Sequence, residues 1–197
     1  DILKDRLYTF RADSPLRRGS QTVLFDVLVA MTKLMAPILS FTADEIWRTL
    51  SAQIPGGMGL QSVHLAEFPE VEPAWDDALL RQRWERLLRV REAVQGALEV
   101  SRSKKTIGSS LEAKVAIDCA PGLYSLLKGY ERELPSLFIV SHVSLKADPH
   151  LSSDKELLVG ISPAEGKKCE RCWNYRPAVG TFADHPTLCD RCVEAVR

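Results

Sequence analysis

Four of the five cysteines in the chain lie close together in two pairs. Cys169 and Cys172 form one CxxC pair, and Cys189 and Cys192 form a second pair after sixteen intervening residues. Two residues between cysteines let one tight turn point both thiolates at the same ion, and two such turns complete a tetrahedron with metal–sulfur distances of about 2.3 Å. The spacing favours a zinc ribbon over the alternatives, a redox dithiol or a disulfide pair. Four thiolates fill the coordination shell, so the predicted zinc ion is structural and not catalytic.

The segment that carries these cysteines, residues 164–197, contains too few apolar side chains to bury a core of its own. Zinc binding can contribute on the order of 10 kcal/mol to the folding of such a module. We therefore expect the segment to unfold when the metal is removed. Cys119 stands apart at the end of a predicted strand, where we expect a small buried hydrophobic residue.

Arg171 and Trp173 flank the second cysteine of the first pair, and Tyr175 and Arg176 follow. Two interpretations are open for the indole ring of Trp173. It could cover the metal site as a miniature core. Alternatively, an exposed indole beside guanidinium groups suits unstacked nucleic-acid bases, since stacking contributes about 1 to 3 kcal/mol per base.

Residues 81–105 carry an excess of positive charge. The eight basic residues are Arg81, Arg83, Arg86, Arg89, Arg91, Arg102, Lys104 and Lys105, against the three acidic residues Glu85, Glu92 and Glu99. A solvated helix face with some ion pairs is the commoner explanation of such a run. Contact with phosphates is the sharper alternative.

The elements that must position these residues are mostly helical. Residues 14–52 read as helix interrupted by Pro37, with Pro15 at the first helical position after Ser14. Apolar residues from Val23 to Leu39 occupy nearly every side, which predicts a helix buried in the middle of a bundle. The restart after Pro37 is predicted to use a capping box of Thr42 and Glu45, with Phe41 and Ile46 as a hydrophobic staple.

A second long helix and a small mixed unit follow. Apolar residues from Leu80 to Leu98 recur at spacings of about three and four, which predicts one amphipathic helix over residues 74–105. In residues 110–162, the segments "AKVAID", "LFIVSHVSLK" and "LLVGIS" are predicted strands and "GLYSLLKGYEREL" a helix. The predicted fold class is therefore mainly α, with a small α/β unit and a four-cysteine module.

Composition limits the function. The chain has 197 residues, 45% of them hydrophobic, and 26 basic against 26 acidic residues, so an anionic partner must be met by a local basic surface. No apolar run reaches the length of a membrane span and no signal peptide opens the sequence, which predicts a cytoplasmic location. Catalytic motifs such as a phosphate-binding glycine loop, GxSxG or HExxH are absent. The chain starts with Asp1 in what reads as the middle of a helix, and we expect it to be a piece of a longer polypeptide.

Four motifs together carry a family resemblance. They are "KDRLY" (4–8), "MAPILSFTADEIW" (35–47), "SRSKKTIGSSLEAKV" (101–115) and "KCERCWNY…LCDRC" (168–192). In this order they resemble the C-terminal part of bacterial isoleucyl-tRNA synthetases, and the resemblance covers essentially the whole chain. The cysteine motif with Trp173 is the discriminating part, because related valine, leucine and methionine enzymes carry similar anticodon-binding helices.

The resemblance implies three modules: a helical anticodon-binding bundle over residues 1–105, an α/β junction domain over 106–163 and a zinc module over 164–197. It implies that Arg6, Arg171 and Trp173 contact the anticodon region of an isoleucine tRNA, and that Cys169, Cys172, Cys189 and Cys192 bind one zinc ion. It further implies a monomeric ligase whose catalytic and editing domains, upstream and absent here, use ATP and isoleucine. This segment itself holds no catalytic residue.

Two other hypotheses remain open from the sequence. The chain could be the zinc-finger end of a DNA glycosylase-like protein, whose cysteine spacing is similar, although we find no helix–two-turn–helix and no N-terminal nucleophile. It could also be a zinc-stabilised protein-interaction unit in which the basic helix is only solvated.

Overall fold

A computed structural model describes residues 2–151 and 156–197, and shows a mainly helical chain with a small mixed sheet and a cysteine-rich end. This confirms the predicted fold class. Its α-helices are α1 (Ile2–Thr9), α2 (Pro15–Met35), α3 (Ser40–Gln53), α4 (Ala78–Ser103), α5 (Pro121–Gly129), α6 (Leu134–Phe138) and α7 (Asp190–Val196). Its strands are β1 (Ala113–Cys119), β2 (His142–Ala147), β3 (Leu157–Pro163), β4 (Lys167–Lys168) and β5 (Tyr175–Arg176). Within the described ranges, no helix combines the length and apolar character needed to traverse a bilayer.

The described residues fall into two compact units, each with its own core. One unit comprises residues 12–76, and the other combines residues 2–11 with the described part of 77–197. This grouping places α1 and α4 with the sheet and the cysteines. The division into three modules (1–105, 106–163 and 164–197) rests on the resemblance and stays a prediction. Asp1 and residues 152–155, which fall within these modules, lie outside the described residues.

The unit of residues 12–76 is built on α2 and α3. Proline 15 occupies the first turn of α2 after the N-cap Ser14, and the helix ends before Pro37, as predicted. The indole Nε1 of Trp47, on α3, donates a hydrogen bond to the carbonyl of Leu60 at 3.0 Å. This bond and the burial of Trp47 fix the return of the chain over α3.

The predicted start of α3 is wrong in detail. The helix begins at Ser40, with the apolar Leu39 in the N-cap position, so Thr42 lies inside the first turn and caps nothing. The reason is the tightness of the turn: the amides of Ile38 and Leu39 both donate to the carbonyl of Met35, at 2.9 and 2.8 Å. The chain therefore passes almost directly from one helix into the next. Phe41 is 94% exposed and forms no staple with Ile46.

The predicted burial of α2 is also not realised in this chain. Val23 and Met31 are 59% and 49% exposed, and apolar residues on several sides of the helix share that exposure. Within its own unit, α2 packs with α3 and the short helical turn at Val63–Leu65. The all-round apolar pattern therefore overestimates the burial of α2 among the residues that the structure describes.

In the second unit α4 packs on the sheet. Asp77 caps it by accepting a hydrogen bond from the amide of Leu80 at 2.9 Å, and the helix lies within the predicted range 74–105. Its buried residues recur at spacings of three and four, as the amphipathic pattern predicts, and join one core with strand β1; they are Leu87, Val90, Val94 and Leu98.

The three-stranded sheet has the order β2-β1-β3, with β1 parallel to β2 and antiparallel to β3. Strands β1 and β3 match the predicted segments, and Cys119 is fully buried as expected. The predicted strand "LFIVSHVSLK" is wrong in its first half, because residues Leu134–Phe138 form α6. Pro135 suits the first turn of a helix, and the buried side chains of α6 complete the crossover that a parallel strand pair requires.

Candidate metal centre and nucleic-acid interface

The four clustered cysteines converge on one point. Their Sγ atoms all lie within 4.8 Å of one another, and the sulfurs of Cys172 and Cys189 are 3.6 Å apart. A tetrahedron with zinc–sulfur bonds of about 2.3 Å has sulfur–sulfur edges of about 3.8 Å, whereas a disulfide requires about 2.05 Å. All four are free and buried thiols. The donor set therefore fits a tetrahedral zinc ion and does not fit paired disulfides.

Backbone hydrogen bonds shape the two cysteine turns. In the first turn the amide of Trp173 donates to the carbonyl of Cys169 at 2.8 Å, and the amide of Cys169 donates to the carbonyl of Asn174 at 2.9 Å. In the second, Cys189 is the N-cap of α7 and its amide donates to the sulfur of Cys169 at 3.3 Å. Cys192 follows in the first turn of α7. The spacing in each pair thus has a definite local structure that aims both sulfurs inward.

The thiols of Cys172, Cys189 and Cys192 perturb one another's pKa values. Hydrogen bonds from the thiols of Cys189 and Cys192 lower the pKa of Cys172. The hydrogen bond with Cys172 in turn raises the pKa of Cys189, and it raises the pKa of Cys192 to about 11. A buried group of four sulfurs cannot carry four negative charges unaided. A divalent cation supplies the missing positive charge, which is what a zinc ion would contribute here.

Trp173 lies at the exposed corner of the first cysteine turn. Its φ angle is 64°, in the left-handed region, and the residue is 60% exposed. The ammonium of Lys168 lies 5.6 Å from the centroid of the indole ring, within the range of a cation–π contact. Of the two interpretations of this ring, the structure supports the exposed one. The ring does not form a buried cover over the sulfurs.

Arg171 is engaged with the C-terminal end of α1. Its guanidinium group donates to the carbonyl of Thr9, to the carbonyl of Tyr8 at 3.4 Å and to the sulfur of Cys192 at 3.7 Å. One side chain therefore ties a metal-site sulfur to the last carbonyls of a helix. If Arg171 contacts RNA as the resemblance implies, the same guanidinium group serves both that contact and these internal hydrogen bonds.

A second arginine fastens the same two elements. Arg191, on α7, forms a bidentate ion pair with Asp5 of α1, with N–O distances of 2.6 and 2.7 Å, and its guanidinium carbon lies 5.0 Å from the ring centroid of Phe10. Burial alone would lower the pKa of Arg191, but the hydrogen bonds and charge of Asp5 outweigh it and the pKa is raised. Helix α1, which carries the half-buried Arg6, is thus held against the cysteine module.

The β4–β5 hairpin attaches the module to the sheet. The hydroxyl of Ser141 accepts a hydrogen bond from the amide of Tyr175 at 2.7 Å, and the imidazole Nε2 of His142 lies 3.0 Å from the carbonyl of Tyr175. Gly166, with φ 94°, precedes β4, and a Cβ atom there would lie 2.2 Å from the carbonyl carbon of Arg176. A glycine is required at this close approach of two backbones.

Sequence reasoning missed these fastening residues, which are Asp5, Ser141, His142, Gly166 and Arg191. Their partners lie far away in the chain, and the Asp5–Arg191 pair is separated by 186 positions. Only Gly166, directly before the basic pair and Cys169, had a local sign in the sequence.

The basic residues of α4 have mixed roles. Arg91 donates from Nε to the carbonyl of Leu137 at 3.0 Å and so serves the fold. Arg102 pairs with Glu99 and also reaches the hydroxyl of Ser110. Lys104 and Lys105, after the end of α4, are exposed. The structure assigns internal contacts to Arg91 and Arg102, and phosphate contact by the other basic residues stays a prediction.

Comparison with known proteins follows the same division of the chain. Residues 1–117 match the family described as anticodon-binding domain of tRNA ligase, and residues 166–195 match the family described as zinc finger found in FPG and IleRS. The isoleucine-tRNA ligase of Geobacter sulfurreducens is 46% identical over 202 residues, which cover 100% of this chain and 21% of the relative. Those of Caldanaerobacter subterraneus subsp. tengcongensis and Kosmotoga olearia are 42% and 39% identical, again over 100% of this chain and 22% and 21% of the relatives. The chain thus spans about a fifth of the length of these relatives.

Proposed function

Because this chain belongs to the family of anticodon-binding domains of tRNA ligases, we propose that it is the tRNA-binding, C-terminal part of an isoleucine-tRNA ligase. In this role it binds the anticodon region of an isoleucine tRNA, while catalytic and editing domains elsewhere in the polypeptide use ATP and isoleucine. We further propose that the ligase is a monomer and works in the cytoplasm, where its tRNA is found. The glycosylase-like and protein-interaction hypotheses have less support, since the anticodon-binding family covers the helical part of the chain.

The exposed indole of Trp173 is the observation that carries the proposal. The ring lies on the turn that the hydrogen bond from the Trp173 amide to the Cys169 carbonyl closes, beside the ammonium of Lys168. An aromatic face with an adjacent cation suits an unpaired base and its phosphate, which are what an anticodon loop offers. We propose Arg6 and Arg171 as further contacts of the same surface, with Arg171 also holding it in place.

The proposed zinc ligands are Cys169, Cys172, Cys189 and Cys192. Bound zinc would fix the two cysteine turns as a rigid unit. The residues of the chain then do the rest: the turns present Trp173, and Arg171 and Arg191 hold the unit against α1. Zinc takes no part in chemistry in this proposal, because four sulfurs leave no open coordination position.

The open apolar sides of α2 support the proposal that more of the polypeptide packs on this unit. Val23 and Met31 on α2, and Phe41 on α3, are exposed, and so many exposed large apolar residues are unusual for an isolated module. The relatives are about five times as long as this chain, so most of their sequence has no counterpart in it. We propose that further helices of the same polypeptide cover this surface and complete the anticodon-binding bundle.

The test is RNA binding by the zinc-loaded 197-residue chain, followed by fluorescence anisotropy. An isoleucine tRNA transcript should bind more tightly than a transcript of the same tRNA with a substituted anticodon. Trp173→Ala should weaken binding by roughly 5- to 160-fold, the loss of one stacked base. Trp75→Ala, at another exposed tryptophan, serves as the matched control. Equal binding of the two transcripts would refute anticodon recognition. Preference for abasic duplex DNA would favour the glycosylase-like hypothesis.

A further inference from the structure

Two exposed side chains are held in a backbone conformation that glycine adopts more easily. Among the described non-glycine residues, φ is positive at Lys105 (58°), Ile139 (60°) and Trp173 (64°). Lys105 and Trp173 are exposed, and their side chains are a cation and an aromatic ring. Strained positions of this kind are concentrated at functional sites, because a residue without a role there would be replaced by glycine at lower cost.

Lys105 occupies the position after a helix end where glycine is most common. The amide of Lys105 donates to the carbonyl of Arg102 at 2.9 Å, and the amide of Thr106 donates back to the carbonyl of Ser101 at 3.0 Å. This pattern closes α4 in the way that a left-handed residue usually does. The backbone of this turn is therefore satisfied without the lysine side chain, whose retention needs another explanation.

The turn after α4 lies close to the start of the cysteine module, because the amide of Ala164 donates to the backbone carbonyl of Glu112 at 2.7 Å. The carboxylate of Glu112 accepts hydrogen bonds from the amide of Gly108 at 2.8 Å and from the hydroxyl of Ser109 at 3.2 Å. These bonds, the Gly108 amide above all, lower the pKa of Glu112, and the charge of Lys168 contributes to the same effect. Lys168 in turn lies over the ring of Trp173. Hydrogen bonds place this turn beside the hairpin, since the Ser141 hydroxyl donates to the carbonyl of Leu111 and accepts from the amide of Tyr175, the residue that pairs with Lys168.

The lysines along this path are available to a ligand. Within residues 2–151 and 156–197, the side chains of Lys104 and Lys105 have no hydrogen-bond or ion-pair partner, and both residues are exposed. The loop amide and hydroxyl keep the Glu112 carboxylate ionised, so one negative charge lies beside the path. The path therefore presents three lysines and one aromatic ring beside this carboxylate.

From this arrangement we propose that Lys104, Lys105 and Lys168 form a phosphate-binding track that continues from Trp173 and receives the RNA backbone. The ring takes an unstacked base, and the track holds the phosphates of the adjoining nucleotides. The inference rests on the proposed tRNA-binding function and assigns part of the contact surface to the end of α4, outside the cysteine module. Phosphate contacts of this type fix the register of the RNA and add no sequence preference.

The test compares Lys104→Gln and Lys105→Gly, singly and together, with the unaltered zinc-loaded chain. The probes are the isoleucine tRNA transcript and its isolated anticodon stem-loop, titrated at 50 to 200 mM salt. Each lost phosphate contact should weaken binding about 5-fold at 0.1 M salt, and the double variant should lower the slope of log K against log salt by about 1.4. Lys146→Gln is the matched control, because that lysine is exposed four residues along β2 from His142, away from the hairpin.

A thermal melt separates this role from a structural one. Lys105→Gly relieves the left-handed strain, so its melting temperature should equal or exceed that of the unaltered chain while its RNA affinity falls. Unchanged affinity and salt slope in the double variant would overturn the track and leave the anticodon proposal intact. A loss equal to that of Lys146→Gln would overturn it too. Failure of the unaltered chain to bind either probe would overturn the proposed function and the track with it.

Discussion

The ion pair between Asp5 and Arg191 should hold helix α1 on the cysteine module. The pair is bidentate, with N–O distances of 2.6 and 2.7 Å, and the two side chains are 24% and 30% exposed. Hydrogen bonds to charged groups contribute about 1.5 to 3 kcal/mol, and partial exposure reduces the sum through solvent screening. We expect the pair to stabilise the docked helix by about 2 kcal/mol, a factor of about 30 in the docking equilibrium.

Two conservative variants test this value. Asp5→Asn keeps the shape of the side chain and removes its charge, and Arg191→Lys keeps the charge and removes the planar fork that makes both bonds. In the zinc-loaded chain, each should speed hydrogen exchange of the α1 amides by about 30-fold, the factor set by the docking equilibrium. A double-mutant cycle should then return a coupling energy near 2 kcal/mol, because the pair is lost only once. Glu194→Gln, an exposed change on the same helix as Arg191, is the control.

Docking should also be linked to metal affinity. Arg191 lies between two cysteine ligands in sequence, and Arg171 joins a sulfur to the end of α1, so the docked state and the metal-loaded state support each other. Both variants should therefore lower the affinity for zinc, measured by competition with a chelator, by at most the same factor of about 30. Unchanged exchange of α1 in both variants would refute the reasoning, since it would mean that other contacts hold the helix.

Three further outcomes follow from the structure. The purified chain should contain one zinc ion, and a chelator or Cys172→Ser should abolish exchange protection in residues 166–195 while β1 stays protected; persistent protection there would contradict a metal-stabilised module. Burial, followed by the charge of Arg176, lowers the pKa of His142 below its ordinary 6.5, so the unfolded chain binds the extra proton and stability is lost as pH falls through that value. Thermal melts from pH 7.5 to 5.5 should show a shallower loss for His142→Asn, and parallel curves would exclude this imidazole as a cause. Gly166→Ala should cost at least about 1 kcal/mol in urea unfolding, because its Cβ would meet the backbone of Arg176; a neutral effect would show that the hairpin can shift.

The metal centre could be predicted from sequence because its information is local. Each cysteine pair sits within one turn, and the turn geometry follows from the two-residue spacing. The long helix α4 was equally predictable, since its buried apolar residues recur at spacings of three and four from Leu87 to Leu98. Its N-cap, Asp77, also directly precedes the helix in sequence. Patterns of this kind need no knowledge of distant residues.

The errors arose where a neighbouring element decides the outcome. "LFIVSHVSLK" has the composition of a strand throughout, but the parallel pairing of β1 and β2 requires a crossover, which takes the first residues into α6. Thr42 and Glu45 satisfy a capping pattern, yet the tight turn at Met35 starts α3 earlier. For α2, the apolar pattern was read as burial, whereas apolar residues such as Val23 and Met31 are exposed among the described residues.

The interface residues were only partly predictable. Trp173 and Arg171 were singled out by their types and positions beside the cysteines, and the resemblance assigned them to tRNA, but the sequence cannot tell an exposed ring from a buried one. Nor can the sequence show that the guanidinium of Arg171 donates hydrogen bonds to the carbonyls of Tyr8 and Thr9, more than 160 positions away. Such long-range hydrogen bonds leave no periodicity and no spacing to detect.

The ion pair of Asp5 on α1 with Arg191 on α7 joins residues 186 positions apart, so it imposes an order on folding during synthesis. A ribosome adding roughly 5 to 20 residues per second leaves Asp5 without its arginine for about 10 to 40 s. Throughout that interval the eight-residue α1 is too short to persist as a helix by itself. The nascent chain can therefore complete this corner only after Arg191 has been synthesised, and with it the second of the two cysteine pairs proposed to bind zinc.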